Sequence, residues 1–258
     1  MSVKTRTMKY FCSLVAILLS LSLSAQRPQA DTFETKEGEL TVQPILHGTL
    51  ALNFDEKLII VDPFGGAAAF SGLENPDYVL ITDVHGDHFN ETSLALLKLD
   101  GAQIIAPQAV YDMMDSALQQ KTKILGNGQS MEMGKVKLAA IPMYNLPETD
   151  DSRHPKGRGN GYLLTMADKT VYISGDTEDI AEMRQLQNVD LAFVCMNLPY
   201  TMNIEQAADA VLAFKPKVIY PYHYRGKPDM SDTKAFKALV DAGEEDIEVR
   251  LRNWYPSY

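Results

Sequence analysis

Apolar and polar side chains alternate with a period of two through the first part of the chain. The runs "LTVQPIL" (40–46), "TLALNF" (49–54) and "KLIIVDPF" (57–64) are split by His47-Gly48 and by Asp55-Glu56-Lys57. Alternation sends successive side chains to opposite faces of an extended backbone and the polar pairs supply turns, so this stretch predicts an antiparallel meander. Beyond residue 76 short apolar runs alternate with segments of helical period. Strands are expected at "DYVLI", "AQIIAP", "KVKLAAI", "GYLLTM", "TVYISGD", "LAFVCM" and "KVIYPY". Helices are expected near 91–99, 109–119 and 177–187, over "NIEQAADAVLAF" with Asn203 as its N-cap, and near 232–240. Two sheets flanked by helices fit this order. The sequence has no internal repeat or low-complexity tract, and its longest polar interruption is the loop at 145–161, so residues 26–258 read as a single domain.

The start of the chain follows another pattern. "MSVKTRTMKYFCSLVAILLSLSLSAQ" sets basic Lys4, Arg6 and Lys9 before an apolar run from Phe11 to Leu23 and then small residues up to Ala25. This is the form of a secretory signal peptide over residues 1–25, cleaved near Ala25, which implies a periplasmic or secreted product. A retained membrane anchor calls for about 18–20 apolar residues, and this run is shorter and contains serines. No cysteine follows the cleavage site to accept a lipid, so no stable membrane anchor is expected. Cys12 leaves with the leader and Cys195 stands alone, which excludes an intramolecular disulfide. The formal net charge of −10 grows more negative once the three basic leader residues are gone, and this argues against nucleic acid or an anionic membrane as a partner. A small-molecule substrate is the remaining expectation. No pattern in the sequence specifies an oligomeric state.

Several apolar runs end in ionisable residues: Asp62, Asp83, Asp176 and His223. Strand ends are rigid and can aim side chains into one cleft, although a single such aspartate can equally be a turn or capping residue. The stretch "ITDVHGDHFN" holds two of the chain's five histidines and two aspartates within six positions. A divalent ion takes four to six nitrogen or oxygen ligands drawn from separate segments.

The H-x-D-H at 85–88, His154 in a glycine-containing loop, S-G-D-T at 174–177 and His223 after a strand resemble the metallo-β-lactamase superfamily. "DPF" at 62–64, "HPKGRGNGY" at 154–162, "SGDTED" at 174–179 and "PYHYRG" at 221–226 resemble the branch that contains ascorbate-lactone hydrolases and N-acyl phospholipid hydrolases. The resemblance implies an αββα four-layer sandwich of two mixed β-sheets flanked by helices. It also implies one metal position built from Asp83, His85 and His154, a second from Asp87, His88 and His223, and Asp176 between them. The cofactor would be one or two divalent ions, zinc or manganese, with iron as a further option. Asp83 stands where the superfamily usually has histidine. As a ligand it is harder and charged, which tilts that position from zinc towards manganese or iron; otherwise it is a hydrogen-bond acceptor beside a single ion.

The implied activity is hydrolysis by a metal-activated water, with Asp87 orienting or deprotonating it. Tyr222 and Tyr224 are either oxyanion stabilisers or packing residues. His47 and Asp62 are expected behind the ligands as hydrogen-bond partners, with His47 otherwise an ordinary turn residue. Arg153, Lys156, Arg158, Arg225 and Lys227 surround the two isolated histidines of a strongly acidic chain. They suit an anionic lactone, phosphodiester or amide substrate, or else a solvated loop. A non-catalytic domain that keeps one ion for stability is the alternative on the same fold, and an oxidoreductase with two irons fits the hydrolytic H-x-D-H pattern less well.

Overall fold

In the computed structural model, which describes residues 27–149, 151–243 and 245–257, the chain forms two seven-stranded sheets built to one plan. The expected leader, residues 1–25, lies outside the described residues. In the first sheet β1 (Asp31–Thr35), β2 (Gly38–Leu46), β3 (Thr49–Phe54) and β4 (Lys57–Val61) pair antiparallel. Next, β5 (Tyr78–Leu80), β6 (Gln103–Ala106) and β7 (Thr122–Ile124) add on in parallel. The short helices α1 (Ala67–Phe70), α2 (Glu91–Leu94), α3 (Gln108–Tyr111) and α4 (Ser116–Gln119) lie in the connections. The second sheet repeats the plan. β8 (Ser130–Met133), β9 (Val136–Met143), β10 (Gly159–Met166) and β11 (Lys169–Ile173) are antiparallel. β12 (Leu191–Cys195), β13 (Val218–Tyr222) and β14 (Glu248–Val249) are parallel. The helices of this half are α5 (Ala181–Arg184), α6 (Ile204–Phe214) and α7 (Thr233–Asp241).

Period-two patterning assigns the faces. Leu50, Leu52 and Phe54 of β3 and Ile59 and Val61 of β4 share one core with Tyr162, Leu164 and Ile173 of the second sheet, while Ala51, Leu58 and Ile60 join a separate cluster with Phe70, Leu94 and Val110 under the helices. On the far side of the second sheet, α6 buries Ala207, Ala208, Val211 and Phe214, and the Phe214 ring meets Tyr172 edge-on. Asn203 caps α6 with a reciprocal bond to Gln206. No helix of the described residues is long and apolar enough to cross a membrane.

The αββα architecture agrees with the expectation, and the helix lengths correct it. The segment 109–119 breaks into α3 and α4 because Asp115 caps a new helix at Leu118 N–H (2.8 Å). The expected helix at 177–187 shrinks to one turn. The Thr177 hydroxyl accepts the Tyr144 N–H (3.1 Å) and Glu178 N–H donates to the Tyr144 carbonyl (2.9 Å), so this stretch is tied in extended form to the end of β9. Strands β1, β7, β8 and β14 have no apolar run long enough to announce them.

Phe193 on β12 is fully buried, stacks on Tyr220 (4.7 Å) and meets Trp254 edge-on (6.1 Å). Phe193→Ala is therefore expected to lower stability by about 3–5 kcal/mol in denaturant unfolding, against a few tenths for Ile124→Ala on the exposed edge.

Candidate metal centre

The carboxyl ends of the parallel strands carry the ionisable residues into one cleft, the usual place for a ligand on such sheets. Asp62 follows β4, Asp83 follows β5, Asp176 follows β11 and His223 follows β13. The turn between β2 and β3 adds His47, and the loop after β9 adds His154. His47, Asp62 and His223 all sit in the left-handed region, at φ +60°, +44° and +45°. Non-glycine residues adopt it only when their surroundings hold them there. Here they do: His47 N–H donates to the Trp254 carbonyl (2.8 Å), His223 N–H to the His47 carbonyl (3.2 Å), and Thr49 Oγ1 to the Asp62 carbonyl (2.6 Å). Gly48 leaves room for this crowding, since a Cβ there would lie 2.9 Å from the His223 ring.

Two of the buried imidazoles, His88 and His154, are oriented from behind. His88 Nδ1 donates to Asp62 Oδ2 (2.8 Å), and the same carboxylate accepts Thr82 N–H (2.8 Å) and the Thr82 hydroxyl (2.5 Å). His154 Nδ1 donates to Asn145 Oδ1 (3.0 Å). Asn145 is held in that orientation because its amide N–H groups go to Glu178 (3.0 Å) and to the Tyr200 carbonyl (2.9 Å). With Nδ1 committed, Nε2 of each ring faces the cleft, and those atoms, both nitrogens of His223 and Oδ1 of Asp176 are buried without a hydrogen-bond partner among the described residues.

These orphaned atoms form connected groups. Asp83, His85 and His154 bring ligand atoms within 4.8 Å of one another, as do His88, Asp176 and His223, and His47, Asp87 and His223. Asp176 joins the first two groups: its Oδ2 lies 3.4 Å from both His154 Nε2 and His88 Nε2, and its Oδ1 lies 3.5 Å from His223 Nε2. His85 Nδ1 approaches Asp83 Oδ2 to 2.6 Å, so the two side chains hold each other at the cleft wall. The cleft's electrostatics agree. Against the effect of burial, Asp176 and Asp62 raise His88 well above its ordinary value, and the surrounding histidines hold Asp176 well below its own. Burial raises the Asp83 carboxyl, but His85, His88 and Arg158 bring it down to about 2. Burial and then His223 push His47 down to about 4, leaving a neutral ring. This chemistry, nitrogen and carboxylate donors in a field that favours positive charge, fits one or two divalent ions.

The expected hydrogen-bond partners take two forms. Asp62 lies behind His88, whereas His47 donates Nε2–H to Asp87 Oδ2 (3.0 Å) and reaches the cleft itself. Tyr222 and Tyr224 are corrected as oxyanion stabilisers. The fully buried Tyr222 hydroxyl accepts Gly175 N–H (3.1 Å), bracing the turn that presents Asp176, and the Tyr224 hydroxyl meets Arg252 O and Trp254 N (3.4 Å each). Arg158 is also corrected: its Nε and Nη2 fork both oxygens of Asp83 (3.2 Å each), and it donates to the Arg153 carbonyl (2.6 Å). Lys156 is engaged by Glu148 (3.2 Å) and Glu182 (3.3 Å). Arg153 and Lys227 lie over the Tyr200 ring (4.5 and 5.9 Å) and Arg225 over Tyr255 (4.1 Å). No carboxylate among the described residues pairs with these three. Asn145, Thr82 and Tyr255 escaped the sequence reading, since each acts through a partner distant in the chain.

The two packed sheets and the histidine–aspartate cleft between strand ends define a class, and comparison with known proteins gives the same one. The beta-lactamase superfamily domain matches residues 41–223, and the chain belongs to the metallo-β-lactamase superfamily. Within it the chain is 31% identical to a UPF0173 metal-dependent hydrolase of Staphylococcus carnosus, over 78% of this chain and 94% of that protein. A crystal structure from Parabacteroides distasonis, named as a metal-dependent hydrolase, superposes with a TM-score of 0.76 at 40% identity, over 87% of this chain and 98% of that one. The diiron β-hydroxylase CmlA of Streptomyces venezuelae shares the fold alone: TM-score 0.63 at 18% identity, over 86% of this chain and 54% of that one.

Asp62→Asn replaces an acceptor facing His88 Nδ1 with a group that can present N–H. It is expected to weaken metal affinity about 10–100-fold in chelator competition, while conservative change at the exposed Glu39 leaves affinity unchanged.

Proposed function

We propose that the chain is an exported metal-dependent hydrolase that acts on a small anionic substrate through a lactone, phosphodiester or amide bond. The observation that carries this reading is the set of buried, unpartnered nitrogen and carboxylate atoms around Asp176, which leaves a cation as the group that completes them. Asp83, His85 and His154 would hold one ion and Asp87, His88 and His223 a second, with Asp176 shared. The names of the Staphylococcus and Parabacteroides relatives support a hydrolase over the β-hydroxylase named for the more distant neighbour.

A divalent ion bound there lowers the pKa of its water to about 7 and polarises the bond under attack. The chain's own residues supply the rest. The Asp87 side chain is 34% exposed against 0% for Asp83 and 5% for Asp176, so it is the carboxylate of the set that can reach a water from solvent, orient it and take its proton. Arg153, Arg225 and Lys227 lie on aromatic faces without acidic partners among the described residues and can receive a carboxylate or phosphate of the substrate. The motifs resembling the ascorbate-lactone and N-acyl phospholipid branch are consistent with such a substrate. Asp83 in place of histidine favours manganese or iron over zinc in its position.

Metal analysis of the purified mature protein is expected to find one or two equivalents, and the loaded enzyme to turn over an anionic member of a screen spanning lactones, phosphodiesters, amides and β-lactams. Asp87→Asn should lower that turnover by about 10²–10⁴. Bound metal without turnover on any of the four bond types would favour the metal-stabilised binding domain instead. Asp83→Ala is expected to lose one equivalent and Asp83→His to retain it with a shift towards zinc; full metal content in Asp83→Ala would mean that this aspartate does not coordinate.

Export has its own test. Intact-mass measurement of the secreted or periplasmic product is expected to place the N-terminus near Gln26, and recovery of a chain that keeps Lys4 and Arg6 in the cytoplasm would overturn it.

A further inference from the structure

The C-terminal segment lies outside the stretch matched by the superfamily domain, yet it reaches the cleft. Tyr255 places its hydroxyl 2.8 Å from His47 Nδ1, and the same oxygen accepts Arg225 N–H at 2.8 Å. On the other side of the ring, His47 Nε2 lies 3.0 Å from Asp87 Oδ2. The direction of each bond follows from elementary donor and acceptor rules. An ionised carboxylate only accepts, so Nε2 carries the hydrogen; the neutral ring then has an acceptor at Nδ1, and the one hydrogen of the phenol goes there. The chain of donors runs Arg225 N–H to Tyr255, Tyr255 to His47, His47 to Asp87. Backbone bonds anchor both ends, since His47 N–H donates to the carbonyl of Trp254, whose side chain is fully buried beside Phe193 and Tyr222.

We propose that Tyr255 is a positioning residue for the metal centre, which through His47 fixes the tautomer and the carboxylate of Asp87. The inference rests on the reading of Asp87 as a ligand and goes beyond it, because it makes a residue 168 positions further along the chain part of the centre. Without the phenol, His47 Nδ1 has no donor, the ring can adopt the other tautomer, and Asp87 Oδ2 loses the hydrogen bond that aims it. Partners of this kind set ligand basicity and orientation, and their loss commonly weakens metal binding about 10–100-fold.

The test uses Zn²⁺ itself on the metal-free mature protein, titrated in competition with a chromogenic chelator. Tyr255→Phe is expected to weaken one zinc equivalent about tenfold and to leave any other unchanged. Tyr224→Phe, which touches the same C-terminal segment but not His47, should bind as wild type, and all the metal-free variants should melt together. Because Tyr255 acts through His47, the double variant His47→Ala/Tyr255→Phe should bind no more weakly than His47→Ala alone. Wild-type affinity in Tyr255→Phe, an equal loss in Tyr224→Phe, or additive losses in the double variant would each overturn the proposal while leaving the metal reading standing. A wild-type protein that takes up no Zn²⁺ would overturn the metal reading and this proposal together.

Discussion

Asp176 is the interaction on which the centre depends. Its carboxylate is nearly buried, within 3.4–3.5 Å of the Nε2 atoms of His88, His154 and His223, and its Oδ1 has no hydrogen bond. A buried charge is tolerated only when opposite charge or directed donors surround it, and the rings alone supply that only by taking up protons, the direction in which His88 is shifted, which does not let all three keep a lone pair for the cleft. A cation between them meets the need of the carboxylate and the imidazoles at once. The partners behind the ligands follow from the same constraint. Asp62 and Asn145 each take the Nδ1–H of one ring, so His88 and His154 in their neutral forms offer the cleft an acceptor nitrogen.

The fold delivers this arrangement by repeating one plan twice. In each half four antiparallel strands lead into three parallel ones, and the segments after β4, β5, β11 and β13 reach the cleft, where they bring Asp62, Asp83, Asp176 and His223 together. The left-handed backbone at His47, Asp62 and His223 marks where strand geometry gives way to ligand geometry. Its cost is set against bonds from neighbouring segments: Trp254 holds His47, Thr49 holds Asp62 and His47 holds His223. Tyr222 plays a comparable part for Asp176 through Gly175 N–H, which explains a buried tyrosine next to a cleft histidine without giving it a role in the chemistry.

What the sequence disclosed and what it hid divide along chain separation. The meander at 40–61, the buried strands at 191–195 and 218–222, and α6 with its Asn203 cap were legible because period and capping are local properties. His85, Asp87 and His88 stood out for the same reason. The helices expected at 109–119 and 177–187 were over-read, since their apolar spacing reflects packing on two separate clusters while Asp115 and Thr177 redirect the backbone. Long-range partners were invisible. Tyr255 lies 208 positions from His47 and Arg158 75 positions from Asp83, and no local spacing signals either contact. Arg158 was thus expected to meet a substrate, on the strength of charge alone, when its charge is engaged inside the site.

That contact accounts for the chain's departure from the superfamily's usual histidine. A carboxylate at position 83 would add a negative charge to a cleft that already holds Asp87 and Asp176, and a fully buried one carries a large desolvation cost. Arg158 meets Asp83 with a two-pronged fork on both oxygens, the geometry in which arginine binds a carboxylate most specifically. The pair as a unit has no net charge, as a neutral imidazole has none, so the electrostatic balance of the cleft is preserved although the ligand type changes. Oxygen replaces nitrogen without an added charge. With Asp83 as the ligand proposed above, the change would act on the preference among cations, through the hardness of the donor, more than on the total attraction the cleft exerts on any of them.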